Sequence, residues 1–67
     1  METRLLQYFL KIAQTGTISQ AASELHVTQP TLSRQLRTLE AELGTALFVR
    51  EQHHMVLTQA GSRYQSD

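Results

Sequence analysis

Several small and polar side chains that can contact nucleic-acid bases fall on one side of a predicted helix over 28–43. At about 100° per residue, four of them share an arc of about 100°: Pro30, Ser33, Arg34 and Arg37. Gln29 and Thr31 flank this arc at the N-terminal end of the helix. Arginine can bond two guanine acceptors, glutamine can bond adenine in a bidentate way, and serine can bond either base. The pattern predicts a helix that reads base edges in the major groove of B-DNA.

The opposite side of this helix is apolar and predicts how the helix is held. Its leucines recur with the period of one helical stripe, and they are Leu32, Leu36, Leu39 and Leu43. Thr28 is the predicted N-cap, and Pro30 falls in the first turn, where its missing N–H is harmless. Val27 and Leu32 fit a hydrophobic staple, which fixes the angle at which the chain enters the helix.

A shorter helix is predicted just before this one, so that the two form a helix-turn-helix. Ser19 is its predicted N-cap, because a serine hydroxyl can accept a bond from an unpaired backbone N–H. Its apolar face consists of Ala21, Ala22 and Leu25. The two alanines allow another helix to cross closely because their side chains are short, and His26-Val27 forms the turn.

A solvated face of an ordinary amphipathic helix would also carry two arginines, since charged surface faces are common. Three features favour a contact surface instead. They are the capped turn, the paired alanines and the absence of any acidic residue from Thr28 to Leu39. We therefore interpret the polar side of the helix as a surface that meets a partner.

The chain before the helix-turn-helix predicts a supporting helix over 3–15. Its apolar stripe consists of Leu5, Phe9, Ile12 and Ala13, with Leu6 and Leu10 beside it. Gly16 follows at a position where a left-handed residue commonly ends a helix. Tyr8 and Phe9 are interpreted as core and rim packing rather than as stacking partners for a base.

The chain after the helix-turn-helix predicts a hairpin, the wing, over 46–57. Gly44 ends the preceding helix, and apolar runs at 46–49 and 55–57 flank a polar stretch whose tip lies near Gln52-His53. Arg50 is the first candidate for a contact with the sugar-phosphate backbone or the minor groove, and His53 is the next. Thr58 then caps a predicted fourth helix, in which Gly61 marks close packing.

Several short motifs fall in register with one family of proteins. They are Ala21-Ala22, Thr28-Gln29-Pro30, Leu32-Ser33-Arg34-Gln35, Leu39-Glu40, Leu43-Gly44, Leu47-Phe48, Arg50 and Leu57-Thr58. With these motifs the chain resembles the N-terminal winged helix-turn-helix domain of LysR-type transcriptional regulators, over about 6–61. The resemblance implies sequence-specific binding to double-stranded DNA, at an interrupted dyad operator, in the cytoplasm and nucleoid of a bacterium.

The chain departs from the family pattern at the tip of the wing. Members of the family commonly carry a glycine and a second basic residue there, where this chain has Gln52 and His53. A neutral histidine adds little to phosphate binding near pH 7, because its unperturbed pKa is about 6.5. A weaker wing contact is therefore expected than the family pattern implies.

Length and composition predict one small domain. A chain of 67 residues buries only about 60% of its unfolded surface, and without cysteines it gains nothing from disulfides or thiolate metal sites. No apolar run approaches the roughly 20 residues of a membrane span, and the sequence predicts no signal peptide. Six basic and six acidic residues give zero net charge, which argues against a purely electrostatic nucleic-acid binder. Binding by a single copy is expected to be weak.

The predicted fold is mostly α: a winged helix-turn-helix with a three-helix core, a short two-stranded β wing and the start of a fourth linker helix. We expect a DNA-binding domain over 1–57 and the truncated start of a linker or dimerisation helix over 58–67. We expect the effector-binding domain of the family to be absent from these residues, so that a small-molecule effector would act only through that missing part. The resemblance implies a homodimer or tetramer for a full-length protein, and we expect a monomer or weak dimer for this chain.

Protein binding and catalysis are the two alternatives to DNA binding. A winged-helix module that binds protein through the same face is favoured by the small size and zero net charge. Catalysis is disfavoured, because no nucleophile–base pair, phosphate-binding glycine loop or carboxylate pair is evident. No cofactor and no metal site are predicted: His53 and His54 are adjacent and point to opposite sides in a strand or turn, and His26 is distant in sequence.

Overall fold

The computed structural model describes residues 3–52 and 54–66 of the chain. In chain order the described residues form α1 (Thr3–Thr15), α2 (Ile18–Leu25), α3 (Gln29–Leu43), β1 (Phe48–Glu51), β2 (His54–Leu57) and α4 (Gln59–Ser66). The two strands form an antiparallel hairpin. The predicted mostly α architecture, with three helices, a two-stranded wing and a fourth helix, is confirmed. No described helix is long and apolar enough to cross a membrane.

The three N-terminal helices, the start of the wing and α4 share one apolar core. Its fully or largely buried residues are Leu5, Phe9, Ile12, Ile18, Ala21, Ala22, Leu32, Leu36, Leu39, Leu47 and Phe48. Phe9 lies at its centre with no exposed surface. Its ring centroid is 5.3 Å from that of Phe48 and 5.0 Å from that of Tyr64, the latter edge-on. One side chain of α1 thus joins the supporting helix to the wing and to α4.

The start of α2 differs from the prediction. Thr17, and not Ser19, is the N-cap: its backbone is extended, and its hydroxyl accepts a hydrogen bond from the N–H of Gln20 over 3.1 Å. The helix therefore begins at Ile18, whose side chain enters the core. Ser19 lies within the first turn of α2, and its hydroxyl is free of any capping role.

The predicted start and end of α3 are confirmed. The Thr28 hydroxyl accepts a hydrogen bond from the N–H of Thr31 over 3.3 Å, and Gly44 ends the helix with a φ of 71°. Val27 packs against the core that contains Leu32. The stripe of four leucines is wrong in its last member, however. Leu43 is 42% exposed, because the last residue of α3 lies beyond the edge of the core.

The wing is shorter than the apolar runs predicted. β1 begins at Phe48 and not at Ala46, and the N–H of Leu47, just before the strand, donates to a side chain of α3. The hairpin turns at Gln52, which has a φ of 54°. Close to this turn, the N–H of Met55 donates to the carbonyl of Gly16 over 2.7 Å. This bond ties β2 to the turn between α1 and α2.

The predicted cap and close packing at the start of α4 are confirmed. The hydroxyl of Thr58 accepts a hydrogen bond from the N–H of Gly61 over 3.0 Å. A Cβ atom on Gly61 would collide with the carbonyl oxygen of Leu47 and would approach Leu57 Cδ2 to 2.9 Å. The absent side chain at Gly61 is therefore what lets α4 lie against the chain that enters the wing.

Replacing His26 by glycine is expected to stabilise the fold by about 0.5–1 kcal/mol. His26 ends α2 with a φ of 61°, a conformation that costs a residue with a Cβ more than it costs glycine. Its side chain is exposed, so little packing is lost. Thermal unfolding followed by circular dichroism should show a midpoint a few degrees higher. His26→Ala is the control and should show no such gain; a lower midpoint for His26→Gly would contradict the argument.

Candidate nucleic-acid interface

The structure brings five of the nine predicted site residues together around one shallow cleft. This cleft, of about 690 Å³, is lined by Gln29, Pro30, Ser33, Arg34 and Arg37. We call these five residues the helix face. Ser33 is half-buried and the other four are exposed. The buried leucines of α3 face the core, and these five residues lie on the other side of the helix. The period of the helix is therefore enough to bring the helix face together.

The arginines of this region carry charge that the described part of the chain does not neutralise. Arg34, Arg37 and Arg50 make no ion pair with any described residue, and the only ion pair within 3–52 and 54–66 joins Lys11 to Glu24, between α1 and α2. Their guanidinium groups are therefore available as donors. A planar guanidinium suits both the phosphates of a nucleic-acid backbone and the acceptor pair of guanine.

Arg50 lies on the side of the wing that faces α3. In the hairpin it is opposite Met55, which packs against the core, whereas Val49 and Val56 form an exposed pair on the other side. A small cleft between the wing and α3 is lined by Ile18, Ser33, Leu36, Arg37, Glu40, Arg50 and Met55. Arg50 is thus placed beside the helix face, although it is far from it in sequence.

A further cleft, of about 370 Å³, opens where the N-terminal ends of α2 and α3 meet the wing. It is lined by Thr17, Ile18, Ser19, Gln29, Arg50, Gln52 and Met55. Across it the side-chain amide of Gln29 donates to the hydroxyl of Ser19 over 3.4 Å. Ser19 therefore joins the site as a hydroxyl exposed beside Gln29 and Arg50.

Ser19 was not among the predicted site residues, because the predicted N-cap of α2 lies two residues after the observed one. A signal was present. Thr17 and Gln20 have the spacing of a capping box, and a cap at Thr17 leaves the hydroxyl of Ser19 free. In the structure only half of the box forms, since the side chain of Gln20 donates to Glu24.

The remaining predicted residues have different surroundings. The hydroxyl of Thr28 donates to that of Thr31 over 2.8 Å, so the two threonines bond to each other at the start of α3 and line none of these clefts. His53 lies outside the described residues. Among the residues that are described, no three of the types that commonly bind metals are close enough to hold an ion.

A three-helix core with a capped helix-turn-helix, a hairpin beside the second helix of the pair and unpaired arginines between them defines a winged helix-turn-helix protein. The sequence pattern of the bacterial regulatory helix-turn-helix proteins of the lysR family matches residues 3–62. The chain therefore belongs to the lysR family of bacterial regulatory proteins.

Related sequences are transcriptional regulators. The chain is 43% identical, over all of its 67 residues, to the HTH-type transcriptional regulator ClcR of Pseudomonas putida. It is 46% identical, over 61 residues and 91% of its length, to the nitrogen assimilation regulatory protein nac of Escherichia coli strain K12. The match covers 23% of ClcR and 20% of nac, so the chain spans about a fifth to a quarter of the length of these relatives.

Similar solved structures include complexes with DNA. The structure superposes with a TM-score of 0.94 on the DNA-binding domain of CbnR in a complex with DNA, at 43% identity, covering 100% of this chain and 77% of that one. It superposes with a TM-score of 0.93 on the DNA-binding domain of BenM in a complex with benA site 1 DNA, at 36% identity, covering 98% of this chain and 77% of that one.

Proposed function

We propose that the chain binds double-stranded DNA in a sequence-specific way, as the reading head of a bacterial LysR-type transcriptional regulator. The observation that carries the proposal is the set of arginines, unpaired within the described residues, on and beside the exposed side of α3. The helix face would enter the major groove, and the wing would lie on the backbone or in the minor groove. The DNA complexes of CbnR and BenM domains of the same fold support DNA binding by a domain of this kind.

The proposed roles rest on the sequence pattern and, for the described residues, on the surroundings of their side chains. The guanidinium of Arg34 has no partner among the described residues, and Arg34 is our first candidate for base readout. The other groove-facing residues are Pro30, Ser33 and Arg37. Residues proposed to hold phosphates are Thr28, Gln29, Thr31 and Arg50, with His53 as a further wing contact; Gln29 also lies within reach of a base. Ser19 is added to this set because its hydroxyl lies beside Gln29.

We propose that two copies of the chain are needed for tight binding. Its net charge is zero, so one copy lacks the strongly basic surface of a protein that binds DNA by charge alone. The proposed division is a DNA-binding domain over 1–57 and the start of a linker or dimerisation helix over 58–67. Two copies would meet an interrupted dyad operator in the bacterial cytoplasm. An effector would act through a separate domain, and no catalytic step is proposed.

Replacing Arg34 by alanine is expected to weaken binding to the preferred duplex by about 1–3 kcal/mol and to relax the preference at one base pair. A bidentate contact with guanine distinguishes one base pair from the others, whereas a phosphate contact does not. Fluorescence anisotropy with a panel of single-substitution duplexes would measure both effects.

Two matched variants sharpen this test. Arg34→Lys keeps the positive charge but not the planar fork, and it should also relax the preference. Arg63→Ala removes one positive charge from an exposed position of α4 and should affect all duplexes slightly and equally. An equal loss of affinity for every duplex in Arg34→Ala would make Arg34 a phosphate contact and contradict its assigned role.

An amide chemical-shift titration with short duplexes, at low and at moderate salt, tests the proposal as a whole. Shifts confined to 28–37 and 50–55 that weaken steeply with salt would support it. No shift, even after the chain is forced to dimerise, would favour the alternative function as a protein-binding module, for which the zero net charge argues. Binding by that module would be insensitive to salt.

A further inference from the structure

Glu40, in the second half of α3, has its carboxylate committed to the backbone of the wing. Its Oε2 accepts hydrogen bonds from the N–H of Leu47 over 2.7 Å and from the N–H of Phe48 over 3.3 Å. Both donors belong to residues of the core, with 1% and 7% of their surface exposed. Bonds to a carboxylate are stronger than bonds between neutral groups, and buried N–H groups require an acceptor. Glu40 therefore fixes the point at which the chain enters β1.

The same short segment is also held from its other side. The N–H of Thr58 donates to the carbonyl of Leu47 over 2.9 Å, and the hydroxyl of Thr58 donates to the carbonyl of Ala46 over 2.7 Å. Residues 46–48 are thus clamped between α3 and the start of α4. β1 leaves this clamp two residues before Arg50.

The position of Arg50 depends on this clamp. Its guanidinium makes no hydrogen bond and no ion pair with the residues that the structure describes, so its side chain is not held directly. Its place beside Ser33 and Arg37 follows from the placement of the strand that carries it. A contact group is effective only where its support keeps it close to the required geometry.

We propose that Glu40 is a positioning residue for nucleic-acid binding. By fixing β1 against α3, it holds Arg50 where it and the arginines of the helix face reach one duplex together. This inference rests on the proposed function. It also accounts for a carboxylate in the cleft beside Arg37 and Arg50, where a negative charge by itself would repel a phosphate backbone.

The sign of the effect of removing the Glu40 charge separates this proposal from simple electrostatics. If Glu40 acted only through its charge, Glu40→Gln would bind a duplex more tightly. As a positioning residue, it is expected to bind about threefold to tenfold more weakly, with the slope of log K against log salt lower by about one, as in Arg50→Ala. Glu42→Gln is the matched control, because Glu42 is exposed on the same helix and its carboxylate bonds to no described residue. It should bind at least as tightly as the unchanged chain.

Double variants test whether Glu40 acts through Arg50. Glu40→Gln combined with Arg50→Ala should bind no more weakly than Arg50→Ala alone, because the contact is already lost. Combined with Arg34→Ala, it should weaken binding by the same factor as it does in the unchanged chain. Additive losses with Arg50→Ala, or unchanged or tighter binding by folded Glu40→Gln, would overturn the proposal.

A measurement without DNA separates failure of this inference from failure of the proposed function. Hydrogen exchange of the Leu47 and Phe48 amides should be faster in Glu40→Gln, while the amides of α1 are unchanged. Unchanged exchange at these two amides would overturn the clamp, even where the chain binds DNA. Absence of any duplex binding by the chain, even when it is forced to dimerise, would defeat the proposed function while the exchange result still stood. If Glu40→Gln does not fold, Glu40→Asp, which withdraws the carboxylate by one methylene, is judged by the same criteria.

Discussion

Replacing Phe9 by alanine is expected to remove a large part of the stability of the fold. Truncating a fully buried phenylalanine costs about 3–5 kcal/mol, and the two ring contacts of Phe9, with Phe48 and Tyr64, are lost as well. A domain of 67 residues has a free energy of unfolding of only about 3–10 kcal/mol. The loss therefore removes a third of that stability or all of it.

The measurement is urea denaturation followed by circular dichroism. Leu10→Ala is the control, because it shortens a side chain of the same helix that is 39% exposed and should cost less than about 1 kcal/mol. Unlike Leu10, Phe9 joins α1 to β1 and α4 through its two ring contacts. A free energy of unfolding for Phe9→Ala within about 1 kcal/mol of the unchanged chain would show that this junction is not the centre of the core.

Replacing Gly61 by alanine is expected to destabilise the fold by about 1–3 kcal/mol or more. In an exposed helix the same change would stabilise it by about 1 kcal/mol, because alanine favours the helix. Here the added Cβ would collide with the carbonyl oxygen of Leu47, a backbone atom that also accepts the N–H of Thr58. Backbone held in this way cannot move aside without breaking that bond, so α4 must shift away from the wing.

Two measurements check this prediction. Denaturant unfolding gives the loss of stability, and hydrogen exchange of the Thr58 amide shows whether its bond to Leu47 has opened. Gln65→Ala, at an exposed position of α4, is the control and should change stability by less than about 0.5 kcal/mol. A more stable Gly61→Ala variant would mean that helix propensity outweighs the close approach.

The helices and their ends could largely be predicted from the sequence because they depend on residues a few positions apart. The threonine cap at Thr28 and the left-handed glycines at Gly16 and Gly44 are confirmed in the structure. The helix face was predicted for the same reason, since one helical period separates it from the buried leucines. At the start of α2, both Thr17 and Ser19 could act as the N-cap, and the predicted cap at Ser19 is wrong.

Contacts between residues that are distant in sequence could be found only in the tertiary structure. Three such contacts depend on how the elements pack. They are the hydrogen bond of Glu40 to the start of β1, the bond of Met55 to Gly16 and the close approach of Gly61 to Leu47. The exposure of Leu43 has the same origin, because periodicity places a leucine on a stripe but does not say where the core ends. The sequence by itself therefore determined an α-helical domain with one polar contact helix. Packing places Arg50 beside that helix, because the Glu40 carboxylate of α3 and Thr58 at the start of α4 both bond to the backbone of residues 46–48.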